Sequence, residues 1–227
     1  MQRDCALDTG KLYYQTFTSM KNYQNVFTLF KEQKMKLPFE TEKLYYGFPI
    51  FILGYKDQCF GYNITTSSSS YSLGDMVVIG LSSSNNATKQ IKYFKEFTLN
   101  VPTENQSFLM ERAGFITHRN KLKMLDVNYS KADQIDAPLL ADCPLSLECR
   151  VEAMQEFDNY VNFTARIVKR WVDRDLLDDE GHLNSRNFHP LYFMGDGKER
   201  RYRYLDKVES DELGSFSRKS RKLASRT

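Results

Sequence analysis

The sequence has few cysteines and no long apolar run, and each shortage excludes a class of protein. Its 227 residues include only four cysteines, Cys5, Cys59, Cys143 and Cys149. No two of them form a C-x-x-C pair, and four in a chain of this length make no disulfide framework, so we expect reduced thiols and no metal site. No apolar stretch approaches the roughly 18 residues that cross a bilayer, and the first residues lack the apolar segment of a signal peptide. These absences predict a cytoplasmic protein without a membrane partner.

The motifs of the common protein-borne active sites are also missing. The three histidines, His118, His182 and His189, have neither zincin nor other metal-ligand spacing. The chain contains no G-x-S-x-G nucleophile elbow, no Walker glycine loop and no G-x-G-x-x-G dinucleotide fingerprint. The acidic residues 178–180 lie in a polar segment, which is typical of a solvated turn. The sequence therefore offers no catalytic nucleophile of its own.

Positive charge is concentrated at one end of the chain. The formal net charge is +3, but the last fourteen residues hold five basic residues and no acidic one, so the remainder is slightly acidic. We expect a flexible basic tail at residues 209–227, after a domain at 44–208 and an extension at 1–43 that packs on this domain or on a partner subunit. A basic arm for nucleic acid is the alternative, but the body carries no nucleic-acid-binding signature, so nucleic acid is an unlikely partner.

Hydrophobic periodicity predicts a mostly β domain with short helices inserted. Apolar residues make up 41% of the chain and aromatic residues 14%, enough for a substantial core. Residues 76–81 form a continuous apolar run typical of a strand buried on both faces, and residues 56–58 are a turn candidate. Strands are predicted at 48–55, 59–65, 76–81, 97–101, 145–154, 160–172, 188–193 and 202–205, and helices at 23–34, from about residue 88, at 104–113 and at 118–126. This order favours an antiparallel α+β barrel or sandwich over a doubly wound sheet.

Residues 63–88 contain eight serines on either side of the apolar run 76–81. A serine-rich tract usually indicates a flexible linker, but a core strand in its middle excludes a loose joint. Hydroxyl groups, loop N–H groups and a helix start capped by Thr88, Asn85 or Asn86 are what a phosphate monoester requires, and Lys89 adds a positive charge. The pattern thus suggests a phosphate cradle without Walker glycines. Ordinary solvated turns are the alternative.

Several motifs, taken in order, resemble those of a known family. They begin with Phe48-Pro49, followed by G-x-N-x-T-x-S at residues 61–67, the apolar strand, and a loop that ends at Thr88. They continue with F-T-L-N-V-P at residues 97–102 and close with a Pro-Leu, turn and Tyr-rich segment at 189–205. Across residues 44–206 the chain resembles the flavin reductase-like FMN-binding split barrels, which include the flavoredoxins.

The resemblance implies a six-stranded antiparallel split barrel that works as a homodimer, with FMN near the subunit interface. It implies reduction of FMN by NADH or NADPH, or by an electron-transfer partner. Carried over residue by residue, the first polar segment would line the flavin ring and ribityl chain, and the second would hold the phosphate. The implied cofactor-binding residues are Asn63, Thr65, Thr66, Ser67, Ser68, Ser82, Ser83, Thr88, Lys89, Asn100 and His189.

Two functions from different classes follow from these observations. The first is an FMN-dependent oxidoreductase that passes hydride or electrons between NAD(P)H and flavin or another acceptor. The alternative is a non-enzymatic module, either an FMN-binding electron carrier or a dimeric split barrel without cofactor. The chain departs from the family pattern where Lys121 or Lys123 replaces the lysine of a Lys-Phe pair. Because a flavin carries out hydride chemistry itself, the missing catalytic triad is consistent with the first function.

Overall fold

A computed structural model describes residues 36–216, and the chain divides after residue 40 into two compact units. The helix predicted at 23–34 and the last eleven residues of the basic tail lie outside the described residues. The described part of the second unit is mostly β, with three α-helices. Its strands are β1 (Leu44–Pro49), β2 (Phe51–Asp57), β3 (Gly61–Ser67), β4 (Ser70–Leu73), β5 (Met76–Ser82), β6 (Glu96–Val101), β7 (Tyr129–Lys131), β8 (Pro138–Leu140), β9 (Leu145–Phe157), β10 (Tyr160–Val172), β11 (Tyr192–Asp196) and β12 (Arg200–Arg203). Its helices are α1 (Asn86–Phe94), α2 (Ser107–Phe115) and α3 (Lys121–Met124), with 3-10 turns at Glu104–Gln106 and Arg174–Leu176.

Seven strands form one antiparallel sheet in the order β3-β2-β6-β9-β10-β5-β4. A second sheet has the order β1-β11-β12, and β7 pairs with β8. The long hairpin predicted from alternation in residues 145–172 is confirmed as β9 and β10, which pair over most of their length. The predicted antiparallel class is therefore correct, and the main sheet has seven strands where six were expected.

The turn between β2 and β3 lies two residues later than predicted. Lys56 and Asp57 still belong to the ladder, opposite Tyr62 and Gly61, and the turn occupies residues 58–60. The Asp57 carboxylate accepts hydrogen bonds from the backbone N–H groups of Cys59 at 2.8 Å and of residue 60 at 3.1 Å. A side-chain acceptor of this kind replaces the missing ladder partner and fixes where the strand ends.

The prediction that residues 76–81 form a strand buried on both faces is wrong: this strand is β5, and the strand that is buried on both faces is β2. In β5 burial alternates, with Val77, Ile79 and Leu81 in the core and the other face half-exposed. The reason is that the helices pack on β2 and β3 and leave the second face of β5 uncovered. In addition, the serine-rich segment before β5 forms a strand that the sequence did not indicate, β4, which pairs with β5.

Two apolar clusters lie on the two sides of β2. Its residues Phe51, Leu53 and Tyr55 pack with α1 and with the inward faces of β5, β6 and β10. Ile52 of β2, and Ile50 just before the strand, pack instead with α2, α3 and the segments around Leu140 and Leu191. Since successive side chains of a strand point to opposite faces, β2 joins the barrel interior to the outer helical layer.

The helix predicted at 118–126 is shorter and starts later. His118 has φ of 53°, a left-handed conformation that cannot begin a helix. The helix is α3, and the side chain of Asn120 accepts a hydrogen bond from the Lys123 N–H at 3.0 Å. The segment between α2 and α3 is therefore not helical, and its Arg119 carbonyl oxygen accepts a hydrogen bond from Asn63 of β3.

The three-stranded sheet β1-β11-β12, called here the small sheet, joins a strand from the start of the domain to two strands from its end. β11 and β12 are displaced from the strands predicted at 188–193 and 202–205. Tyr45 of β1 stands opposite Gly195 of β11, which in turn stands opposite Arg200 of β12. Gly195 has φ of 136°, and a Cβ atom there would lie 2.1 Å from the carbonyl oxygen of Glu199. Only glycine permits this close turn between β11 and β12.

Candidate functional site

Two adjoining clefts lie where the serine-rich segments meet α1 and α2. The larger cleft has a volume of about 530 Å³, within the range of about 300 to 1,000 Å³ usual for small-molecule sites. The smaller cleft has a volume of about 250 Å³. Thr66, Asn85 and Gly114 line both clefts, so the two form one extended groove.

The larger cleft has walls of different chemistry. One wall is polar and contains the bend between β3 and β4, together with parts of β5 and β10; its residues include Ser67, Ser68, Ser69, Gly80, Ser82 and Asn162. Another wall is aromatic and comes from the small sheet, with Tyr45, Phe193 and Tyr202. Met110, Glu111, Gly114 and Phe115 of α2 contribute to the same cleft.

The strand β3 and the helix α2 are held together at the junction of the two clefts. The Thr66 hydroxyl donates a hydrogen bond to the carbonyl oxygen of Met110 at 2.6 Å. Met110 is buried, and it belongs to the apolar cluster that contains Ile64 of β3. This contact fixes the helix that carries Gly114 against the strand that carries the first serines.

The N-terminus of α1 faces the smaller cleft. Asn85 is the N-cap, not Thr88, and its side chain makes no capping hydrogen bond. Thr88 is fully buried, and its hydroxyl donates to the carbonyl oxygen of Ser82 at 2.6 Å, which joins the helix to the end of β5. The first N–H groups of a helix have no intrahelical acceptor and carry partial positive charge. Because Asn85, Asn86 and Ala87 line the cleft, this end of the groove suits an anion.

The buried carboxylate of Asp57 is hydrogen-bonded to the first residue of α1. Asp57 is 2% exposed, and its Oδ2 accepts from the side-chain amides of Asn86 at 2.8 Å and Asn63 at 3.4 Å. Tyr55, buried beside it, also lines the smaller cleft, and burial raises the pKa of its phenol well above the usual value. Asp57 itself does not line the cleft, and its hydrogen bonds orient the Asn63 and Asn86 side chains that do.

Lys121 brings a buried cation to the smaller cleft. Its side chain is 6% exposed, and its Nζ donates to the carbonyl oxygen of Ala113 at 2.7 Å. Within the part of the chain that the structure describes, Nζ has no carboxylate partner, and no Asp or Glu lines this cleft. Burial lowers the pKa of Lys121 to about 8 because desolvation disfavours the ammonium form.

Asn63 holds in place the segment that carries Lys121. Its Nδ2 donates to the carbonyl oxygen of Arg119 at 3.0 Å, and its Oδ1 accepts from the backbone N–H of Lys121 at 3.2 Å. His118, in the same segment, lines the smaller cleft with Lys121. Asn63 thus lies at the cleft but uses its amide to position the cation.

Six of the eleven residues predicted from the sequence line the groove. Asn63 and Thr65 line the smaller cleft, Thr66 lines both, and Ser67, Ser68 and Ser82 line the larger one. Ser83, Thr88, Lys89, Asn100 and His189 line neither cleft.

Asn100 is fully buried, and its amide is used inside the fold. Its Nδ2 donates to the carbonyl oxygen of Ile52 and to the Thr98 hydroxyl, at 3.0 and 2.9 Å. Its Oδ1 accepts from the Leu140 N–H and the Ser146 hydroxyl, at 3.1 and 2.8 Å. The side chain therefore joins β2, β6, β8 and β9.

The described residues give little support for other chemistry. Residues 36–216 contain no group of three or more metal-ligating side chains arranged to hold an ion. Cys59, Cys143 and Cys149 form no disulfide, and burial raises the pKa of Cys143 and of Cys149 to about 12. Over the same range, no helix has the length and apolar character needed to cross a membrane.

The fold is that of the split barrels. Flavoredoxin of Desulfovibrio vulgaris (Miyazaki F) superposes with a TM-score of 0.71 at 19% identity, covering 80% of this chain and 100% of that one. An FMN-binding protein from Thermus thermophilus, solved with bound 1-cyclohex-2-enone, gives a TM-score of 0.63 at 14% identity and covers 81% of this chain and 100% of that one. These likenesses confirm the predicted split-barrel class.

The family follows from the sequence match. Residues 53–200 match the model described as the flavin reductase like domain, and the chain therefore belongs to the flavin reductase-like family, a group of flavin-related oxidoreductases. An uncharacterised Bacillus subtilis protein, YdfE, is 23% identical, and the match covers 75% of this chain and 91% of that one. The predicted family is confirmed.

Proposed function

We propose that this protein binds FMN in the groove and uses it to transfer hydride or electrons between NADH or NADPH and flavin or another acceptor. The observation that carries the proposal is one extended groove with an anion-binding end and a hydroxyl-lined end, in a chain of the flavin reductase-like family. FMN has the same two parts, a phosphate monoester and a polar-edged ring joined by a hydroxylated chain.

The donor set of the smaller cleft fits the phosphate. The N–H groups at the start of α1, the Ser84 hydroxyl and the Lys121 ammonium all belong to residues that line it. A dianionic phosphate would supply the buried ammonium with the counter-charge that the protein does not provide. The family resemblance implied Ser82, Ser83, Thr88 and Lys89 for this role; we now propose Ser84, Asn85, Asn86 and Lys121.

The polar wall of the larger cleft fits the ring and the ribityl chain. Ser67, Ser68 and Ser82 line it, and their hydroxyls can donate to or accept from the oxygens and nitrogens of a flavin. The Thr66 hydroxyl is already bonded to Met110, so Thr66 acts by holding the wall in position. A bound flavin supplies the redox chemistry, and these residues orient it and limit its contact with water.

The alternatives are a non-enzymatic FMN carrier and a cofactor-free dimeric module. The visible absorption spectrum of the purified protein, with and without added FMN, separates a flavin protein from a cofactor-free one. Oxidation of NADH and NADPH, followed at 340 nm with added FMN, separates a reductase from a carrier. A protein that stays colourless and does not change the FMN spectrum on titration contradicts both flavin functions.

We also propose that the protein is a homodimer. The tip of the β9–β10 hairpin exposes three large apolar side chains, Met154, Phe157 and Tyr160, and an exposed apolar patch is typical of a protein–protein contact. Tyr160 is 51% exposed and also lines the larger cleft. A partner that covers this tip would therefore also border the proposed flavin site.

A further inference from the structure

The small sheet presents three aromatic rings to the larger cleft. Tyr45, Phe193 and Tyr202 come from β1, β11 and β12, one from each strand. The ring centroids of Tyr45 and Phe193 are 5.9 Å apart, and those of Phe193 and Tyr202 are 5.1 Å apart in an edge-to-face arrangement. Rings at these distances support one another and form a continuous apolar surface suited to a planar ligand.

An arginine stands at the same surface, and no described residue pairs with it. Arg200 precedes Tyr202 by two residues on β12, so the two side chains share one face of the sheet, and both line the larger cleft. Among residues 36–216 nothing forms a hydrogen bond or ion pair with the Arg200 guanidinium. The neighbouring Arg201, on the other face, is paired with Glu199.

The aromatic wall is distinct from the wall assigned to the flavin. The serines proposed to contact the ring belong to the β3–β4 bend and to β5, whereas the aromatic residues belong to the small sheet. Arg200 is also absent from the smaller cleft, where the phosphate is proposed to bind. The larger cleft therefore offers an aromatic wall and a second cation beyond those that FMN would use.

We propose that the larger cleft binds, beside the flavin, a planar aromatic compound that bears a carboxylate. The ring packs on Tyr45, Phe193 and Tyr202, and the carboxylate pairs with the Arg200 guanidinium, whose planar fork matches two carboxylate oxygens. Among the described residues that line this cleft, Glu111 is the one other that is charged; its carboxylate repels anions, so it favours a ligand with a single negative charge placed at Arg200. The position beside the flavin rests on the proposed function, whereas the aromatic wall and Arg200 do not.

Three small probe molecules distinguish the contribution of the aromatic ring from that of the carboxylate. Benzoate has both the ring and the charge, benzamide has the ring without the charge, and cyclohexanecarboxylate has the charge without the flat ring. Binding to the FMN-loaded protein is read from the change in the visible flavin spectrum. We expect benzoate to bind at least about tenfold more tightly than either of the others, because each lacks one contact.

Substitution of Arg200 tests the site directly. Arg200→Gln should weaken benzoate binding by at least about tenfold and leave the Kd for FMN unchanged. Arg201→Gln, its neighbour on the opposite face, is the matched control and should change neither. Tyr45→Leu, which keeps an apolar side chain, should weaken benzoate and benzamide alike. Thermal melting of each variant verifies that it is folded.

The possible outcomes distinguish this proposal from that of FMN binding. Equal affinities for the three probes overturn it, as does unchanged benzoate binding in Arg200→Gln. A loss of FMN affinity in Arg200→Gln equal to the loss for benzoate also overturns it, because Arg200 would then belong to the flavin site. If the protein does not bind FMN, the proposed function fails, and calorimetric titration of benzoate into wild type and Arg200→Gln still decides whether the aromatic carboxylate site exists.

Discussion

Lys121 and Lys123 lie two positions apart on α3 and have opposite surroundings. Lys121 is 6% exposed and bonded to a backbone carbonyl, whereas Lys123 is exposed. Burying an ammonium without a carboxylate partner is costly, and proteins retain such groups mainly where a ligand supplies the missing charge. This pair of lysines therefore provides a test residue and its natural control.

The pKa of Lys121 predicts how FMN affinity depends on pH. The value of about 8 means that the ammonium is mostly present below pH 8 and mostly lost above it. A bound phosphate stabilises the ammonium and raises this pKa, so binding above pH 8 takes up a proton. We expect FMN affinity to fall by up to about tenfold per pH unit from pH 8 toward pH 10.

Flavin fluorescence titrations between pH 6.5 and 10 measure this dependence. Riboflavin, which lacks the phosphate, should show no such fall. Lys121→Met should remove the fall for FMN, because the titrating ammonium is then absent. An FMN profile that falls equally in wild type and Lys121→Met would assign the titration to another group.

Asn100 gives a prediction about stability. Its four hydrogen bonds lie inside the fold, and truncation leaves several buried partners unsatisfied. Asn100→Ala should lower the free energy of unfolding by about 2 to 4 kcal/mol, measured by urea denaturation. Ser146→Ala, which removes one of the four bonds, should cost less.

The FMN affinity of folded Asn100→Ala should stay within about twofold of wild type, because the substitution affects folding and not binding. A large loss of FMN affinity without a loss of stability would place Asn100 at the ligand.

Local composition predicted only some of the residues that line the groove. Ser67, Ser68 and Ser82 were found because serines cluster around an apolar strand. The sequence named Lys121 only as an alternative to Lys123, because the two lysines lie in similar local sequence. Which of them is buried depends on how α3 packs. Tyr45, Phe193 and Tyr202 were also missed, since three strands far apart in sequence bring them together and no local pattern indicates it.

At the level of elements, periodicity succeeded where one face was covered. Burial alternates along the first half of β10 because one side packs in the core, and the sequence predicted β9 and β10 as a hairpin. The strand β4 was missed because its serines match a turn, although pairing with β5 makes it a strand. The helix at 118–126 was predicted too long because His118 adopts a left-handed conformation that no feature of the local sequence indicates.

A substitution of Gly195 tests the close turn between β11 and β12, the strands that carry Phe193 and Tyr202. Gly195→Ala would place a methyl group 2.1 Å from the carbonyl oxygen of Glu199, in a backbone conformation that alanine disfavours. We expect the free energy of unfolding to fall by about 2 to 4 kcal/mol. Gly74→Ala is the matched control, since Gly74 also has positive φ, at 59°, but a Cβ there meets nothing within 4 Å. It should cost only about 1 kcal/mol. Equal costs in the two variants would show that the close approach to Glu199 is unimportant.

At the level of the whole molecule, the exposed hairpin tip predicts a dimer. Phe157→Lys combined with Tyr160→Lys should convert the dimer to a monomer, because two charges would enter an apolar contact. Light scattering after size-exclusion chromatography gives the mass of each species. Val208→Lys, at an exposed apolar residue outside the hairpin, should leave the dimer intact. A wild-type protein that is monomeric at micromolar concentration would contradict the proposal.

The central claim is that the groove binds FMN with its phosphate at Lys121 and the start of α1. The most direct measurement is a fluorescence titration of the purified protein at pH 7 with FMN and, in parallel, with riboflavin. We predict that FMN binds at least about tenfold more tightly than riboflavin, that Lys121→Met removes most of this difference, and that Lys123→Met preserves it. No binding of FMN, or equal affinities for FMN and riboflavin in the wild type, would contradict the account.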